Sequence, residues 1–572
     1  MKASDYIVEF LIRNGVTDIF GYPGGMVTHL MDSLDRYRDN ISAHVNYHEQ
    51  ACAMAACGWA EMTGLPGVAY ATSGPGATNL LTGIACAYFE SLPCIFITGQ
   101  VNTYEQKGTL GVRQKGFQET DIVSMAKPIT KDAFMVTEAA QVPSALKRAY
   151  QIALSGRRGP VLLDIPMNVF RGEVAECPET VQIQEENSPV LVDKAASEII
   201  LKLQAAKRPV ILAGHGIALS NTRDTFRSFV ELTGIPTVTS MIAVDAIPSK
   251  SPFCYGMIGA YGIRSANYLV DFSDCILTLG SRLDCRQIGV NKTLFAPDAQ
   301  ILRVDIDNGE LENRINNRER QYVVSLKDLL PVLFRKAKSL TWDFSDWRMR
   351  CEQVRQRLKT VDKQERGNLL AKKLGDLLPD GITVTTDVGQ NQVWIAQSMQ
   401  VKPYQRILFS GGHGAMGYSL PAAIGAAIAT KKPVVCCVGD GGFQMNLQEL
   451  EFIAREKLPI KIILMNNQAL GMIHHFQEMY FSSNYMQTDS KTGYTVPNFD
   501  AIVQAYGLRT VSGANIDDLL SVFEDDGPAF IELRLPESTH VYPKLGLNTP
   551  IHRQEPPLPD ALLKELAQIL MM

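Results

Sequence analysis

Short, uninterrupted apolar runs alternate along the chain with segments whose apolar residues recur at helical spacing. In the first third, Val68 to Ala71, Cys94 to Thr98 and Val161 to Ile165 read as buried strands with helices between them. Strands that are apolar at every position are covered on both faces, which predicts parallel sheets flanked by helices. The pattern returns at Val210 to Ala213, at Val434 to Val438 and at Ile460 to Met465. The first and last thirds share one layout of strand, glycine-bearing turn and helix. Two stretches interrupt the alternation: 173–189 is acidic and carries Pro178 and Pro189, and 339–367 is highly charged, without strand signal and partly helical in pattern. Cutting there predicts three units, 1–175, 190–335 and 368–545, followed by a C-terminal tail, 546–572. The prolines at 550, 556, 557 and 559 predict that this tail lies over the surface. The fold class is α/β, with three Rossmann-like domains built on mostly parallel sheets.

Composition narrows the function. The 572 residues are 46% apolar and 20% charged, as expected of an ordinary folded protein, and the net charge is −5. No concentration of positive charge points to nucleic acid or to an acidic membrane surface. The eleven cysteines form no CxxC pair. Cys52 and Cys57 sit in an Ala-rich helical stretch and Cys436 and Cys437 in a strand, so they read as buried thiols. Asp5, Glu9 and Arg13 interrupt the N-terminal apolar pattern, unlike a secretory signal. The most apolar stretch, Leu420 to Ala429, is far shorter than a membrane span. A cytoplasmic enzyme is the expectation.

The strongest chemical signal lies in the third unit. The strand Val434 to Val438 runs directly into Gly439-Asp440-Gly441-Gly442, a helical stretch (Leu447 to Ala454) follows, and the next strand ends in Asn466-Asn467. A carboxylate at the carboxyl end of one parallel strand and an amide oxygen at the end of the next can share one hard cation, in the crevice where open α/β sheets hold ligands. Oxygen donors of low total charge suit Mg²⁺, which completes its shell with water and phosphate. The glycines let backbone N–H groups approach that phosphate.

These residues resemble the thiamine diphosphate enzymes, which carry GDG followed by NN, and among them the acetohydroxyacid (acetolactate) synthase catalytic-subunit branch. The likeness spans nearly the whole chain. It includes Gly21-Tyr22-Pro23-Gly24-Gly25, His48-Glu49-Gln50, Ser73 to Asn79, Phe117-Gln118-Glu119, Asp387-Val388-Gly389-Gln390, Gly414-Ala415-Met416-Gly417 and Asn466 to Met472. The resemblance implies pyrimidine-binding, central and diphosphate-binding domains in that order. It implies that Glu49 bonds the aminopyrimidine ring and promotes ionisation of the thiazolium, and that Met416 wedges the cofactor into its bent form. Asp440, Asn467 and the Ala469 carbonyl would hold Mg²⁺. Pro23, Gly24, Thr72, Asn79, Val388, Gly389, Gln390, Gly414, Gly439, Gly441, Gly442, Gly471 and Met472 would line the cofactor, and Phe117 and Gln118 the substrate side. Arg282 aligns with an arginine that grips the second substrate, a surface salt bridge being its bland alternative. Because Glu49 and the diphosphate site come from different subunits in the family, at least a homodimer is implied. A small regulatory subunit is a further candidate partner.

Four positions depart from the synthase pattern, all around the acceptor: Met167 for a lysine, Ala260-Tyr261 for Met-His, Asn391 for a histidine and Phe476 for a tryptophan. Losing the indole changes pocket width and removes an N–H donor. A pyruvate-consuming carboligase of acetolactate synthase type, acting on a small 2-keto acid, is the leading expectation. Transfer to a keto group of a nucleotide sugar, a flavin-linked pyruvate oxidase and a simple decarboxylase stand as alternatives. Glycine-bearing turns at 214–216, 256–262 and 280–286 occupy the places that bind FAD in the synthases, so FAD is a candidate third cofactor. His474 and His475 either contact substrate or sit on a helix surface, the surface being the expectation.

Overall fold

The computed structural model describes residues 1–571 other than 176, 184–187, 362–364, 512–515 and 524. Its first sheet comprises β1 (Asp18–Gly21), β2 (Ser42–Val45), β3 (Gly67–Ala71), β4 (Cys94–Gln100), β5 (Asp132–Met135) and β6 (Pro160–Pro166), in the order β2-β1-β3-β4-β6-β5. The second comprises β7 (Pro209–Ala213), β8 (Thr237–Thr239), β9 (Cys254–Met257), β10 (Cys275–Leu279), β11 (Gln300–Asp305) and β12 (Arg320–Val323), ordered β12-β11-β10-β7-β8-β9. The third comprises β13 (Thr383–Thr386), β14 (Arg406–Leu408), β15 (Val434–Gly439), β16 (Ile460–Asn466), β17 (Arg509–Val511) and β18 (Ala529–Arg534), ordered β14-β13-β15-β16-β18-β17. Every described pairing within the three sheets is parallel, and helices cover them, so the expected α/β class holds throughout.

The strand orders locate the ligand crevices. The first and third sheets run in the same order, and each reverses direction between its first and third strands in sequence: β1/β3 and β13/β15. The central sheet reverses between β7 and β10. Helices lie on opposite faces either side of such a switch point, which leaves a crevice beyond the strand ends.

Helix Glu49–Thr63 joins the outer domains. The His48 ring caps it by accepting the Gln50 amide at 3.1 Å, and Gly64, at φ 73°, ends it in the left-handed conformation. Its small side chains let it meet helix Ser419–Thr430 at backbone contact. A Cβ on Gly58 would stand 2.2 Å from the Ala422 carbonyl oxygen, and one on Gly425 1.9 Å from that of Ala55. One apolar core therefore runs from Phe20 and Phe96 through both helices to Phe443 and Phe530. The first and third domains share it, while the central domain has its own.

The structure adds detail at three segments. The GDGG turn leads at once into a short helix, Asp440–Gln444, ahead of helix Glu449–Glu456. The charged stretch 339–367 contains helix Ser345–Lys359, whose Trp347, Cys351, Val354 and Leu358 belong to the central core. The C-terminal segment is more than a surface tail. It forms helix Asp560–Met571 and places Ile551, Leu566 and Leu570 in the central core, because its apolar residues recur at helical spacing despite the prolines before them. The four cysteines expected to be buried are buried and free. Among the described residues no helix is long and apolar enough to cross a membrane.

Candidate active site

The first cluster occupies the β1/β3 switch point. Pro23 and Gly24 follow β1, Thr72 follows β3, and Glu49 opens the helix after β2. A Cβ on Gly24 would lie 2.4 Å from that of Thr72, so only glycine allows this approach. The Thr72 hydroxyl accepts the Met26 amide at 3.1 Å, which ties the two turns together. Glu49 is buried. Its Oε2 accepts the Asn79 amide at 2.9 Å, and its Oε1 lies 3.0 Å from where a Cβ on Gly76 would stand. Gln118, held at φ 65°, brings its Cβ against Gly74, whereas Phe117 is 79% exposed. The Ser73 hydroxyl beside them is buried without a hydrogen-bond partner.

The second cluster occupies the β13/β15 switch point. Asp387, just past β13, accepts the amides of Gly417 at 3.0 Å and Ser419 at 2.9 Å, and a Cβ on Gly442 would collide with it at 2.1 Å. One buried carboxylate thus holds the Val388-Gly389 turn, the Gly414–Met416 turn and the GDGG turn in register. Burial pushes the Asp387 carboxyl up to about 6, against the opposing amides. Met416 lies over Gly441, its Cε 2.9 Å from where a Cβ would be, with Leu470 equally close. The amide of Asn391 lies between Gly389 and Gly439, with its Oδ1 buried and unpartnered.

Asp440 stands at the centre of this cluster. Its Oδ1 accepts the Gly441 amide at 2.7 Å and the Tyr494 hydroxyl at 3.1 Å, while its buried Oδ2 has no partner. Burial pushes this carboxyl up to about 6; the amides of Gly441, Gln468 and Ala469 and the Tyr494 hydroxyl pull the other way. An uncompensated carboxylate oxygen in such a place calls for a cation. Asn467 is anchored through its amide nitrogen to Gln390 Oε1 at 3.0 Å, and Gln390 in turn donates to the Gly471 carbonyl at 3.2 Å. A Cβ on Gly471 would stand 2.0 Å from Gln390 Oε1. Ala469 is buried beside them, and Met472 packs on the third domain's core. Among the described residues no group of three or more His, Cys, Asp and Glu side chains is placed to hold a metal. Asp440 with neutral oxygens is therefore the donor set on offer, and it suits Mg²⁺ better than a transition metal.

Helix Gly471–Tyr480 leads outward from this point. Phe476 on this helix is 46% exposed. His474 and His475, expected at a surface, are both buried. Neighbouring helical positions point about 100° apart, and separate segments cover each one. His474 stacks on Tyr485 with ring centroids 3.9 Å apart, near Asp489. His475 meets His540 edge-on and pairs with the Tyr542 hydroxyl at 3.2 Å, and burial pushes its pKa down to about 4. On the same helix, the Phe476 and Tyr480 rings each face the Lys544 ammonium, 5.3 Å from either centroid. Lys544 is only 7% exposed and donates to the Met479 sulfur at 3.2 Å. The two rings offer roughly 1–2 kcal/mol to a desolvated cation, less than burial of an ammonium costs.

Arg282 is half-buried rather than on an open surface, and its guanidinium lies 3.3 Å from Asp284. It lines a large cleft at the β7/β10 switch point with Gly216, Gly280 and Asp305 of the central domain, Glu90 of the first and Gly411 of the third. The glycine turns at 214–216 and 280–286 meet there, since a Cβ on Gly214 would stand 2.1 Å from the Gly280 carbonyl oxygen. The Ser240 hydroxyl in the same wall is buried without a partner.

Two glycine-lined crevices at equivalent switch points, one with a buried glutamate and one with an uncompensated aspartate, describe a divided site for a charged cofactor. Family models agree. The thiamine pyrophosphate enzyme N-terminal TPP binding domain matches residues 1–125, the central domain 196–333 and the C-terminal TPP binding domain 387–533. The chain belongs to the thiamine pyrophosphate enzyme family. Within it, the chain falls in the acetolactate synthase branch. It is 36% identical to the acetolactate synthase large subunit of Lactococcus lactis, over 95% of this chain and 94% of that one. It is 34% identical to the isozyme 2 large subunit of Escherichia coli, over 95% and 97%. The tobacco chloroplastic acetolactate synthase 2 is 36% identical, over 95% of this chain and 83% of its own length.

Sequence reasoning passed over two residues of the second cluster. Asp387 was visible only as the start of the Asp-Val-Gly-Gln segment, and its role as a stitch depends on three turns meeting. Tyr494 carries no motif at all and reaches Asp440 from a loop far along the chain.

Proposed function

We propose that this chain, a thiamine diphosphate-dependent carboligase of the acetolactate synthase type, takes pyruvate as donor, releases CO₂ and transfers the remaining two-carbon unit to a second carbonyl compound in the cytoplasm. The observation that carries this reading is the pairing of the Glu49 crevice with the Asp440 crevice at matching switch points. The residues fit the cofactor and its metal: the buried Asp440 Oδ2 has no partner and calls for a cation. Asp440, Asn467 and the Ala469 carbonyl would hold Mg²⁺. Bound thiamine diphosphate supplies a nucleophilic carbon and an electron sink for decarboxylation.

The chain's own groups do the rest. Glu49, with Oε2 taken by Asn79, has Oε1 left to share a proton with a pyrimidine ring nitrogen. Met416 and Leu470 present apolar surface that shapes the cofactor and excludes water from the reacting centre. Gln118 and Phe117 stand on the substrate side, Arg282 suits a second substrate's carboxylate, and Phe476 borders the acceptor pocket. Transfer to a keto group of a nucleotide sugar is the second reading, favoured by the open flank at half-exposed Phe476. The cleft around Arg282 fits a dinucleotide such as FAD in its glycine turns and its unpartnered Ser240 hydroxyl.

Two subunits complete the site in this reading. A homodimer would set each Glu49 crevice against the partner's second crevice. Reconstitution tests the proposal: protein stripped of cofactor should consume pyruvate only after both thiamine diphosphate and Mg²⁺ are restored. Consumption that ignores either one would contradict it.

A further inference from the structure

Glu449 is a buried carboxylate that the proposed chemistry leaves unused. It opens helix Glu449–Glu456, nine residues after Asp440, and is 0% exposed. Its partners come from the first domain. Its Oε2 accepts the Asn46 side-chain amide at 2.7 Å, and its Oε1 accepts the Tyr47 backbone amide at 2.9 Å. The His48 amide also faces it. These three residues directly precede Glu49. Further along the same helix, Arg455 donates to the Val45 carbonyl and to the Tyr47 hydroxyl, each at 3.2 Å. One helix of the third domain therefore holds the segment from Val45 to His48.

The segment so held decides where Glu49 stands. Glu49 is the first residue of helix Glu49–Thr63; Asn79 holds its Oε2 at 2.9 Å, and its backbone enters the helix from the Asn46–His48 turn. Oε1 lies 3.0 Å from where a Cβ on Gly76 would stand, so a small shift of the turn would press the carboxylate into that wall or draw it back from its crevice. Burial pushes the Glu449 carboxyl up to about 7; Asn46 and the Tyr47 and His48 amides, with Arg455, pull the other way. A desolvated carboxylate that meets its donors within one short segment fixes that segment, because losing it would leave buried donors unpaired. Asn46 shows the same priority: its Nδ2 serves Glu449, while its buried Oδ1 has no partner. The frame reaches the second crevice as well. The Asn446 side chain donates to the Gly417 carbonyl at 2.7 Å, and the Asn446 carbonyl accepts the Glu449 amide at 3.1 Å. Segment 440–449 thus carries the GDGG turn at one end and the support of the Glu49 turn at the other.

We propose that Glu449 is a positioning residue for Glu49: from the third domain it fixes the Asn46–His48 turn, and with it the placement from which Glu49 Oε1 shares a proton with the pyrimidine ring nitrogen. This rests on the role of Glu49 in the carboligase reading above. Glu449 touches neither substrate nor cofactor in this role. A misplacement of about 1 Å at a reacting group costs up to about 100-fold in rate, so a residue acting through a neighbouring turn can govern it.

The test uses full-length protein loaded with thiamine diphosphate and Mg²⁺. Exchange of the thiazolium C2 proton for deuterium is followed by quenched-flow NMR in wild type, E49Q, E449Q and N46A. E449Q replaces an acceptor of several donors with a group whose own amide hydrogens oppose them. Exchange should slow by about tenfold or more in E449Q and by a smaller factor in N46A, with cofactor affinity, read by fluorescence quenching, within about threefold of wild type. If E449Q keeps its thermal transition and exchanges at the wild-type rate, Glu449 is structural only, and the proposal falls while the role of Glu49 stands. Exchange and affinity falling by the same factor also overturns it, since the variant then disturbs the whole cofactor site. If E49Q exchanges as fast as wild type, the role of Glu49 falls and takes the proposal with it. Should E449Q fail to fold, N46A, which leaves the carboxylate in place, carries the test. Exchange slowed by about threefold or more at unchanged affinity supports positioning, and exchange at the wild-type rate overturns it.

Discussion

Asp440 keeps one carboxylate oxygen against Tyr494 and Gly441 and leaves the other buried and bare. D440N preserves the shape and halves the reason for a cation, so the Mg²⁺ concentration for half-maximal activity should rise by about tenfold or more; an unchanged Mg²⁺ titration would remove Asp440 from the metal site. E49Q keeps the Asn79 contact but cannot share a proton with a ring nitrogen. Turnover should drop by about 100-fold or more while cofactor affinity, followed by fluorescence quenching, changes far less. Asp164 offers a separate test of the electrostatics. Buried in β6 between Thr98 (2.7 Å) and Gln100 (3.0 Å), its carboxyl is pushed up to about 7 by desolvation. A raised carboxyl pKa means the folded state holds its proton longer than the unfolded chain, so stability falls as pH rises from about 4 towards 7, by at most about 1.4 kcal/mol per pH unit. D164N should flatten that fall in urea denaturation measured across the same range. Asp440 and Asn467 stood out in the sequence because each follows an apolar strand, whereas Glu49 was singled out only through the family resemblance. Tyr494 was not legible, since a single hydroxyl arriving from a distant loop leaves no local pattern.

At the scale of elements, the crossing of helices Glu49–Thr63 and Ser419–Thr430 decides how the outer domains meet. Gly58 and Gly425 are required there by contact between backbones, not by turn geometry. G425V should force the helices apart at a cost of about 1–3 kcal/mol, read as a lower urea midpoint, and should perturb Glu49, which opens one of the two helices. An unchanged midpoint would mean the crossing is not under this constraint. β3, β4, β6, β7, β15 and β16 were readable as apolar runs, because strands buried on both faces carry such a composition, whereas half-exposed edge strands such as β2 and β12 carry none. The surroundings of His474 and His475 were not, because what buries them comes from residues 485–489 and 540–542. Helical periodicity reports a buried face only when one partner covers it, and here two partners cover two faces.

For the whole molecule, the first and third sheets repeat one strand order, share a core and carry complementary halves of a site. The similar layout of those thirds was visible in the sequence; their common core was not, since it depends on two Ala-rich helices from distant segments meeting. The C-terminal residues also act at this scale. With Ile551, Leu566 and Leu570 in the central core, a chain ending at residue 545 should lose several degrees of thermal stability, whereas a loosely draped tail would be dispensable. Joining carbon, rather than only releasing it, is what separates this enzyme from a decarboxylase or an oxidase. Pyruvate labelled with carbon-13 at its keto carbon, given to holoenzyme and followed by NMR, distinguishes the two. A carboligase forms a new carbon–carbon bond to the labelled carbon, as acetolactate or as a branched product when another acceptor is present. Labelled acetaldehyde or acetate alone, whatever acceptor is added, would rule the carboligase out.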